Sequence, residues 1–255
     1  MDGTVILAPL AGGLAGACVG SFIATLALRT PEGWADMWTG RSRCRACHAT
    51  LCVVDLVPLL SWLALRGRCR YCGAALGLWY PCVELAAAVI GGLSFAALPS
   101  PEAWIATVLG WWLLALATID LVAWLLPDAL TLPLVGAGLL LAAWGEPLLG
   151  FVPPTSLAGA AMGAAGGYLA LAGIAFAYRR LRGREGLGLG DAKLLAAAGA
   201  WLGAERLPLI VLAAALLGLG LAVLQRRELR AETALPFGPA LALAFWGGFV
   251  LAVLS

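Results

Sequence analysis

The chain has 255 residues, of which 62% are hydrophobic and only 12% are charged. A soluble domain of this length cannot bury so much apolar surface, so the composition excludes an ordinary soluble globular protein. Repeated apolar runs of about 20 residues match the length that an α-helix needs to cross a bilayer. The sequence therefore predicts an all-α polytopic membrane protein. The formal net charge of +2 by itself indicates little about function. We expect no nucleic-acid partner.

We predict eight membrane spans and read the first as a retained helix, because no basic stretch precedes it and no small-residue cleavage site follows it. The sixth is short, so we expect it to be tilted or to cross only in part. In chain order the predicted spans cover about 4–28, 82–98, 103–126, 129–149, 156–178, 192–204, 207–225 and 236–254.

The cationic residues fall into clusters that indicate orientation. Of the 16 Lys and Arg residues, seven lie at 29–70, five at 179–193 and three at 226–230. With eight spans these three clusters share one side of the membrane. The positive-inside rule makes that side the cytoplasm and places both termini outside it. The basic loops are expected to touch anionic lipid headgroups.

Three regions follow from this arrangement: a first transmembrane helix at 1–29, a basic cytoplasmic loop at 30–81 and a multi-helix membrane domain at 82–255. The loop is the only sizeable piece that we expect to be soluble. We recognise no internal repeat in the sequence. The many Gly and Ala residues are typical of close helix packing in lipid.

Four of the seven cysteines form two Cys-x-x-Cys pairs in this loop, Cys44 with Cys47 and Cys69 with Cys72. Two such pairs complete a tetrahedral four-thiolate site for zinc, and a closed site of this kind is structural rather than catalytic. Disulfides are disfavoured in the reducing cytoplasm. We therefore expect a zinc ion that pins a loop too small to build a core of its own.

Other residues near this site were weighed as ligands. Cys52 follows Cys47 by five residues and is a competing ligand, although the symmetrical set is favoured. His48 is the only histidine, and we expect a solvated loop residue rather than a ligand swap. Cys18 and Cys82 lie in or beside spans, where a free cysteine packs as a small apolar residue.

Two aspartates stand where a membrane chain seldom tolerates charge. Asp120 lies within Trp111–Leu126, which is otherwise free of charge, and Asp191 leads directly into an apolar helix. An ionisable residue near membrane depth usually faces the protein interior and marks function. Both aspartates fall on the cytoplasmic side, so they can share a site. A pair of carboxyls sharing one proton can activate water and polarise a carbonyl, which predicts an aspartyl hydrolase.

Several residues around the aspartates are supporting candidates. Gly188 and Gly190 permit unusual backbone angles or close approach of another chain, although an Asp191 N-cap after a Gly-rich turn is the alternative. Asp128 is expected to cap the fourth span. Glu84 either contacts the loop or caps the second span. Lys193 is the only lysine; it lowers the pKa of a carboxyl, anchors substrate or snorkels to the interface.

These motifs together resemble the bacterial type IV prepilin peptidases, the Gly-x-Gly-Asp membrane aspartyl proteases that serve pilus and type II secretion systems. In the first helix and the loop, the residues that carry the resemblance are Gly20-Ser21-Phe22-Ile23, the two Cys pairs, and between or overlapping them Val57-Pro58-Leu59-Leu60-Ser61-Trp62 and Gly67-Arg68-Cys69-Arg70. Tyr80-Pro81-Cys82-Val83-Glu84 follows the loop. In the membrane domain they are Ile119-Asp120 with the segment from Leu126-Pro127-Asp128 to Leu134, the segment from Gly188-Leu189-Gly190-Asp191 to Leu195 with Gly199–Gly203, and Pro236-Phe237-Gly238-Pro239.

The resemblance implies that Asp120 and Asp191 are the catalytic pair. Enzymes of this family cut the short basic leader of a prepilin or pseudopilin at the cytoplasmic face of the inner membrane, just after a glycine. They then methylate the new N-terminus with S-adenosylmethionine. The resemblance alone implies this second activity, because the sequence has no glycine-rich strand–helix signature for that cofactor.

The chain departs from the family pattern at two places. Ala24-Thr25 stands where Asn-Val is frequent, and Asp55-Leu56 where an acidic-Asn pair is usual. Both lie outside the aspartate blocks, so they bear on methyl transfer or substrate choice rather than on proteolysis. Because the cytoplasmic face is rich in arginine, local acids would have to attract a basic leader, and the candidates are Glu32, Asp36 and Asp55.

Three other function classes stay open at this point. A transporter would use Asp120 and Asp191 as proton or cation ligands, but it needs neither the cysteine loop nor the Gly-x-Gly-Asp block. A noncatalytic assembly protein would tolerate Asn at both aspartates. A peptidase without methyl transfer is the nearest alternative. The sequence does not indicate which prepilin is cut or the oligomeric state.

Overall fold

The computed structural model describes residues 4–30, 41–183, 188–224 and 236–255. Within these ranges the chain forms nine α-helices and no β-strand. They are α1 (Thr4–Arg29), α2 (Leu60–Ala64), α3 (Trp79–Ala97), α4 (Glu102–Ala123), α5 (Asp128–Leu149), α6 (Leu157–Arg182), α7 (Leu189–Leu202), α8 (Leu207–Leu224) and α9 (Gly238–Leu254).

Six of these helices are long and apolar enough to cross a membrane: α1, α3, α4, α5, α6 and α8. The prediction of an all-α polytopic membrane protein is thereby confirmed. Each of the eight predicted spans overlaps one helix. However, α7 has 14 residues and α9 has 17, which is short for a bilayer, so the count of eight stays a prediction.

The helices form two compact units, residues 1–123 and 124–255. In the first unit α1 packs along α3 through a stripe of glycines at every fourth position, Gly12, Gly16 and Gly20. A Cβ at Gly20 would lie 2.6 Å from the Cα of Glu84, and a Cβ at Gly16 would collide with the Ala87 carbonyl. Small residues at this spacing let two helix backbones approach closely.

Tryptophan side chains cross-link the three long helices of the first unit. Trp111 of α4 donates its indole N–H to the Ala87 carbonyl of α3 at 2.9 Å. Trp79 of α3 donates to the Ala24 carbonyl of α1 at 3.2 Å. Each bond satisfies a polar group that would otherwise be costly in an apolar surrounding. The contacts fix the helix ends that flank the cysteine loop.

Helix α7 lies at the centre of the second unit, although it is the shortest of the five α-helices described there. It packs against α5, α6 and α9, and its residues from Leu194 to Leu202 are buried without interruption. Its Trp201 donates to the Leu134 carbonyl of α5 at 2.9 Å. Gly199 meets Gly163 of α6 so closely that neither position has room for a Cβ. Asp191 therefore stands at the start of a helix that is held on several sides.

Candidate functional site

The four paired cysteines come together in the first unit. The sulfurs of Cys44, Cys47, Cys69 and Cys72 all lie within 4.8 Å of one another, and the Cys44 and Cys72 sulfurs are 3.9 Å apart. A tetrahedral zinc ion with Zn–S bonds of about 2.3 Å requires sulfur separations of about 3.8 Å. The donor set and its spacing therefore fit a metal ion of that kind.

The two cysteine pairs are two copies of one structural unit, which the sequence analysis missed. Residues 41–51 and 66–76 share the pattern Arg-x-Arg-Cys-Arg-x-Cys-x-Ala-x-Leu with an offset of 25 residues. The backbone repeats with the same offset: the Cys44 amide donates to Ala49 and the Cys69 amide to Ala74. Isolated β-bridges join residue 43 to 50 and residue 68 to 75. Comparing the two arginine-rich pairs would have revealed the repeat in the sequence.

The repeat explains His48. It stands at the position of Gly73 in the second copy, and both have positive φ, 57° and 71°. Its amide donates to the Cys44 carbonyl at 2.9 Å, as the Gly73 amide does to Cys69. His48 is therefore the turn residue that closes the first knuckle, outside the four-sulfur group.

The pKa values of Cys44 and Cys72 are shifted in opposite directions. Amide hydrogen bonds from Cys47 and Ala46 lower the pKa of Cys44 to about 6. The Ala74 amide also favours the Cys72 thiolate, but burial and the hydrogen bonds with the other three thiols raise the pKa of Cys72 to about 11. Four adjacent thiols cannot all ionise unless a cation compensates the charge, as expected of a metal-binding set.

Cys52, the competing ligand, lies outside the group. Its sulfur is 3.2 Å from the Tyr71 hydroxyl, and this hydrogen bond raises the pKa of Tyr71. Its amide donates to the carboxylate of Asp55 at 3.2 Å. Asp55 in turn accepts from the Arg70 guanidinium at 2.6 Å. That bond to Arg70 is the main reason why the pKa of Asp55 lies below its usual value.

The ion pair with Arg70 also bears on how a basic leader would be recognised. The Asp55 side chain is only 3% exposed and its charge is already compensated. It is thus poorly placed to attract a second cation. The other two acids considered for this role, Glu32 and Asp36, lie outside the described residues.

Glu84 connects α3 to the loop between the knuckles. This buried side chain accepts the amide hydrogen of Leu59 at 2.8 Å. Of the two roles considered for Glu84, contact with the loop is the one that the structure describes. A buried carboxylate that accepts a backbone amide forms a strong, charge-assisted bond.

The first candidate aspartate is buried near the C-terminal end of its helix. Asp120 is only 7% exposed and stands three residues before the end of α4. The neighbouring side chains of Leu116 and Ile119 are fully buried. A carboxyl in such an apolar surrounding is unusual unless it has a specific role.

The second aspartate belongs to the first turn of α7. The helix begins at Leu189, three residues earlier than predicted, with Gly188 as its N-cap. The alternative in which Asp191 itself caps the helix is therefore wrong; its amide donates to the Gly188 carbonyl at 3.2 Å. A carboxylate within the first turn interacts favourably with the positive end of the helix dipole.

The two glycines before Asp191 have different surroundings. Gly188 has φ of −72°, which any residue can adopt, and a Cβ there would lie 3.8 Å from its nearest neighbour. A Cβ at Gly190 would lie 2.8 Å from the Cβ of Leu126. Close approach thus explains Gly190, whereas neither a steric contact nor a backbone angle requires glycine at 188.

Asp128 and Lys193 form an ion pair in the second unit. Asp128 is the first residue of α5, and its N-cap is Pro127, so the predicted capping role of Asp128 is wrong. Its carboxylate instead accepts from the Lys193 ammonium, which lies one turn into α7. The pair joins the beginnings of two helices, two residues from Asp191.

Two family models match the chain. The family model described as "Bacterial Peptidase A24 N-terminal domain" matches residues 14–98, and the model described as "Type IV leader peptidase family" matches residues 107–223. The first match includes both cysteine pairs and the second includes both aspartates. No solved structure matches the chain.

Similarity to curated proteins extends over most of the chain. A protein of Aeromonas hydrophila named "Prepilin leader peptidase/N-methyltransferase" is 44% identical over 214 residues, 83% of this chain and 71% of the relative. A protein of the same name from Pectobacterium carotovorum subsp. carotovorum is 40% identical over 266 residues, 94% of this chain and 91% of the relative. The chain therefore belongs to the type IV leader peptidase family.

Proposed function

We propose that this protein is a membrane aspartyl endopeptidase that removes the basic leader of prepilin-like proteins at the cytoplasmic face of the bacterial inner membrane. Its family membership and the names of its relatives support the activity and the class of substrate. The observation that carries the mechanism is the burial of the Asp120 carboxyl in α4, combined with Asp191 at the start of α7.

In this proposal Asp120 and Asp191 hold one proton between them. The ionised carboxylate takes a proton from water while the water oxygen attacks the scissile carbonyl carbon. The protonated carboxyl donates to the carbonyl oxygen, where negative charge develops. Collapse of the tetrahedral intermediate returns a proton to the leaving amine. No metal takes part in these steps, which need only two carboxyls and water.

The test is cleavage of a purified prepilin by the protein in lipid, comparing wild type with Asp120→Asn and Asp191→Asn. Each substitution keeps the side-chain shape but removes the base, so we expect the rate to fall by about a thousandfold or more. Glu146→Gln, which removes an exposed carboxylate near the end of α5, is the matched control and should cleave normally. Normal cleavage by either aspartate variant would remove the proposed mechanism.

We also infer that Cys44, Cys47, Cys69 and Cys72 hold a structural zinc ion. The sulfur spacing and the all-cysteine donor set support a closed tetrahedral site. Bound zinc would cross-link the two knuckles and fix the loop, without an open position for substrate. The proteolytic proposal does not depend on it.

Methyl transfer from S-adenosylmethionine is the second activity that we propose. It is supported by the N-methyltransferase name of the relatives. The residues that would bind this cofactor are unknown. Mass spectrometry of the cleaved pilin, with and without S-adenosylmethionine, tests the activity. A gain of one methyl group only with the donor supports it, and an unchanged mass would leave a peptidase without methyl transfer.

A further inference from the structure

The connector between the two knuckles, residues 51–65, has the composition of a buried segment. Asp55 is its only charged residue and Ser61 is its only other strongly polar one. The Asp55 charge is directed inward to Arg70, with the side chain 3% exposed. A loop that crosses an aqueous surface is normally polar, so this composition needs a reason.

The connector nevertheless presents its apolar side chains outward. Val53 is 80% exposed, Val54 and Leu60 are each 66% exposed, and Leu63 is 63% exposed. Leu60 and Leu63 lie three residues apart, on one face of α2. Several large apolar side chains exposed on one short loop indicate an interaction surface.

The outward orientation is fixed by contacts on the opposite face of α2. Trp62 donates its indole N–H to the Gly77 carbonyl at 2.8 Å, and its ring occupies the space where Gly67 lacks a side chain. The tryptophan thus secures the connector to the second knuckle.

The connector is also bonded to the beginning of a helix that is long and apolar enough to cross a membrane. Its Leu59 amide is bonded to Glu84, the sixth residue of the spanning helix α3. That helix begins with Trp79 and Tyr80, residue types that are enriched at the boundary between lipid and water. The apolar patch therefore lies beside the first turns of a spanning helix, rather than far out in solvent.

Exposed arginines flank the patch on both sides. They occur at the same positions in the two repeats, as Arg41, Arg43 and Arg45 before the connector and Arg66, Arg68 and Arg70 after it. Basic side chains near a bilayer are attracted to anionic headgroups, while neighbouring apolar side chains enter the boundary between headgroups and acyl chains. An anionic lipid surface accounts for the apolar patch and the basic flanks together.

We propose that residues 53–63 form an interfacial anchor that inserts Val53, Val54, Leu60 and Leu63 into an anionic lipid leaflet. Arg41 and Arg43 on one side, and Arg66 and Arg68 on the other, would contact the headgroup phosphates, while Arg70 stays paired with Asp55. The cysteine loop is then a membrane-surface structure and not a freely soluble piece, in contrast to the expectation from sequence. The anchor would hold both knuckles against the bilayer. The proposal is independent of which reaction the protein catalyses.

The test uses the full chain with a photo-crosslinking amino acid at position 53, 60 or 63, reconstituted in vesicles that contain phosphatidylglycerol. Positions 46 and 75 are exposed alanines of the two knuckles, outside the apolar patch and the arginine set, and they serve as controls. We expect lipid adducts at 53, 60 and 63 to exceed those at the control positions several-fold in mass spectra. Equal yields at all five positions, or adducts mainly to peptides of this or another protein, would overturn the anchor.

A second arm tests the arginine contribution and guards against loss of fold. In vesicles of phosphatidylcholine alone, the adduct yield at position 60 should fall; an unchanged yield would remove the role of the anionic headgroups. The double variant Leu60→Glu/Leu63→Glu should lose lipid adducts at position 53 while its bound-metal content stays at the wild-type value. Retained adducts in that variant would contradict insertion of this face.

Discussion

The carboxylate of Glu84 accepts the amide hydrogen of Leu59 at 2.8 Å and thereby supports an unfavourable backbone conformation. Leu59 has φ of 60° and ψ of −49°, and the Leu60 amide donates to the Pro58 carbonyl at 2.6 Å. This is a three-residue γ-turn of the rare, strained type. Such a conformation persists only when its surroundings hold it in place.

Replacement of Glu84 should therefore loosen the connector. Glu84→Leu leaves the Leu59 amide without this acceptor in a partly buried place, which costs about 1–3 kcal/mol. We expect faster hydrogen exchange at residues 57–63 by mass spectrometry. Glu84→Gln keeps an acceptor oxygen of the same reach and should show a smaller increase. Equal exchange in the two variants would mean that the bond does not hold the turn.

Gly190 and Gly188 should differ sharply when replaced by alanine. The Cβ of Gly190→Ala would lie 2.8 Å from Leu126, so the start of α7 has to shift. Because small displacements of a catalytic group are costly, we expect prepilin cleavage to fall about tenfold or more. Gly188→Ala meets nothing closer than 3.8 Å and should stay near wild type.

A second substitution shows whether the loss of activity in Gly190→Ala has a steric cause or reflects a need for backbone flexibility at this position. Leu126→Gly removes the Cβ that would lie 2.8 Å from the new methyl group, together with the rest of the side chain, so it should restore part of the activity of Gly190→Ala. If activity is lost equally in Gly188→Ala, or is not improved by Leu126→Gly, close packing at Gly190 is the wrong explanation.

The Asp128–Lys193 pair is expected to position α7 rather than to stabilise the protein. The Asp128 side chain is 57% exposed, and exposed ion pairs contribute at most about 1 kcal/mol. Asp128→Asn and Lys193→Met should leave the melting temperature nearly unchanged. Each should lower the rate of cleavage through its effect on the neighbouring Asp191.

A double-mutant cycle tests this coupling. If both residues act only through their contact, the double variant should be no slower than either single variant. The exchanged pair, Asp128→Lys with Lys193→Asp, should recover part of the rate. Independent, multiplicative losses would show that Lys193 or Asp128 has a separate role.

The long helices could be predicted because the length of each apolar run indicates a membrane-spanning helix. All eight predicted spans overlap a helix, since runs of about 20 apolar residues can satisfy their backbone polar groups in lipid only as helices. The start of α7 was misplaced because Gly188 and Gly190 suggested a loop. Gly190 packs against Leu126, and a contact between residues so far apart in the chain cannot be read from a local pattern.

The cysteine set was equally visible in the sequence, but the Asp128–Lys193 pair was not. The spacing of two Cys-x-x-Cys pairs indicates a metal site directly. Asp128 and Lys193, in contrast, are 65 positions apart in the chain and meet only because their helices pack together. The same limit applies to Glu84 and Leu59. The repeated knuckle, in contrast, was present in the sequence as an offset of 25 residues.

The repeat predicts that the two halves of the metal site are equivalent. Cys44→Ser and Cys69→Ser occupy matching positions and should each abolish stoichiometric zinc, measured by elemental analysis of purified protein. Both should also expose the loop to faster hydrogen exchange, because the metal cross-links the knuckles. Cys82→Ser, outside the four-sulfur group, is the control and should retain the metal. Full zinc content in either knuckle variant would exclude this ligand set.

The Asp55–Arg70 bond predicts how the connector responds to pH. Because its pKa is lowered in the folded protein, Asp55 contributes stability that is fully present above its usual pKa of about 3.9. That contribution is lost only as pH falls through the lowered value. Hydrogen exchange at residues 52–57, corrected for the intrinsic effect of pH, should therefore be unchanged between pH 7 and pH 5.

Asp55→Asn provides the comparison for this measurement. The variant lacks the carboxylate at every pH, so exchange at residues 52–57 should be faster than wild type at both pH 7 and pH 5. Arg70→Gln should behave in the same way, because it removes the other partner of the bond. A loss of protection in the wild type already between pH 7 and pH 5 would show that a group other than Asp55 controls the connector.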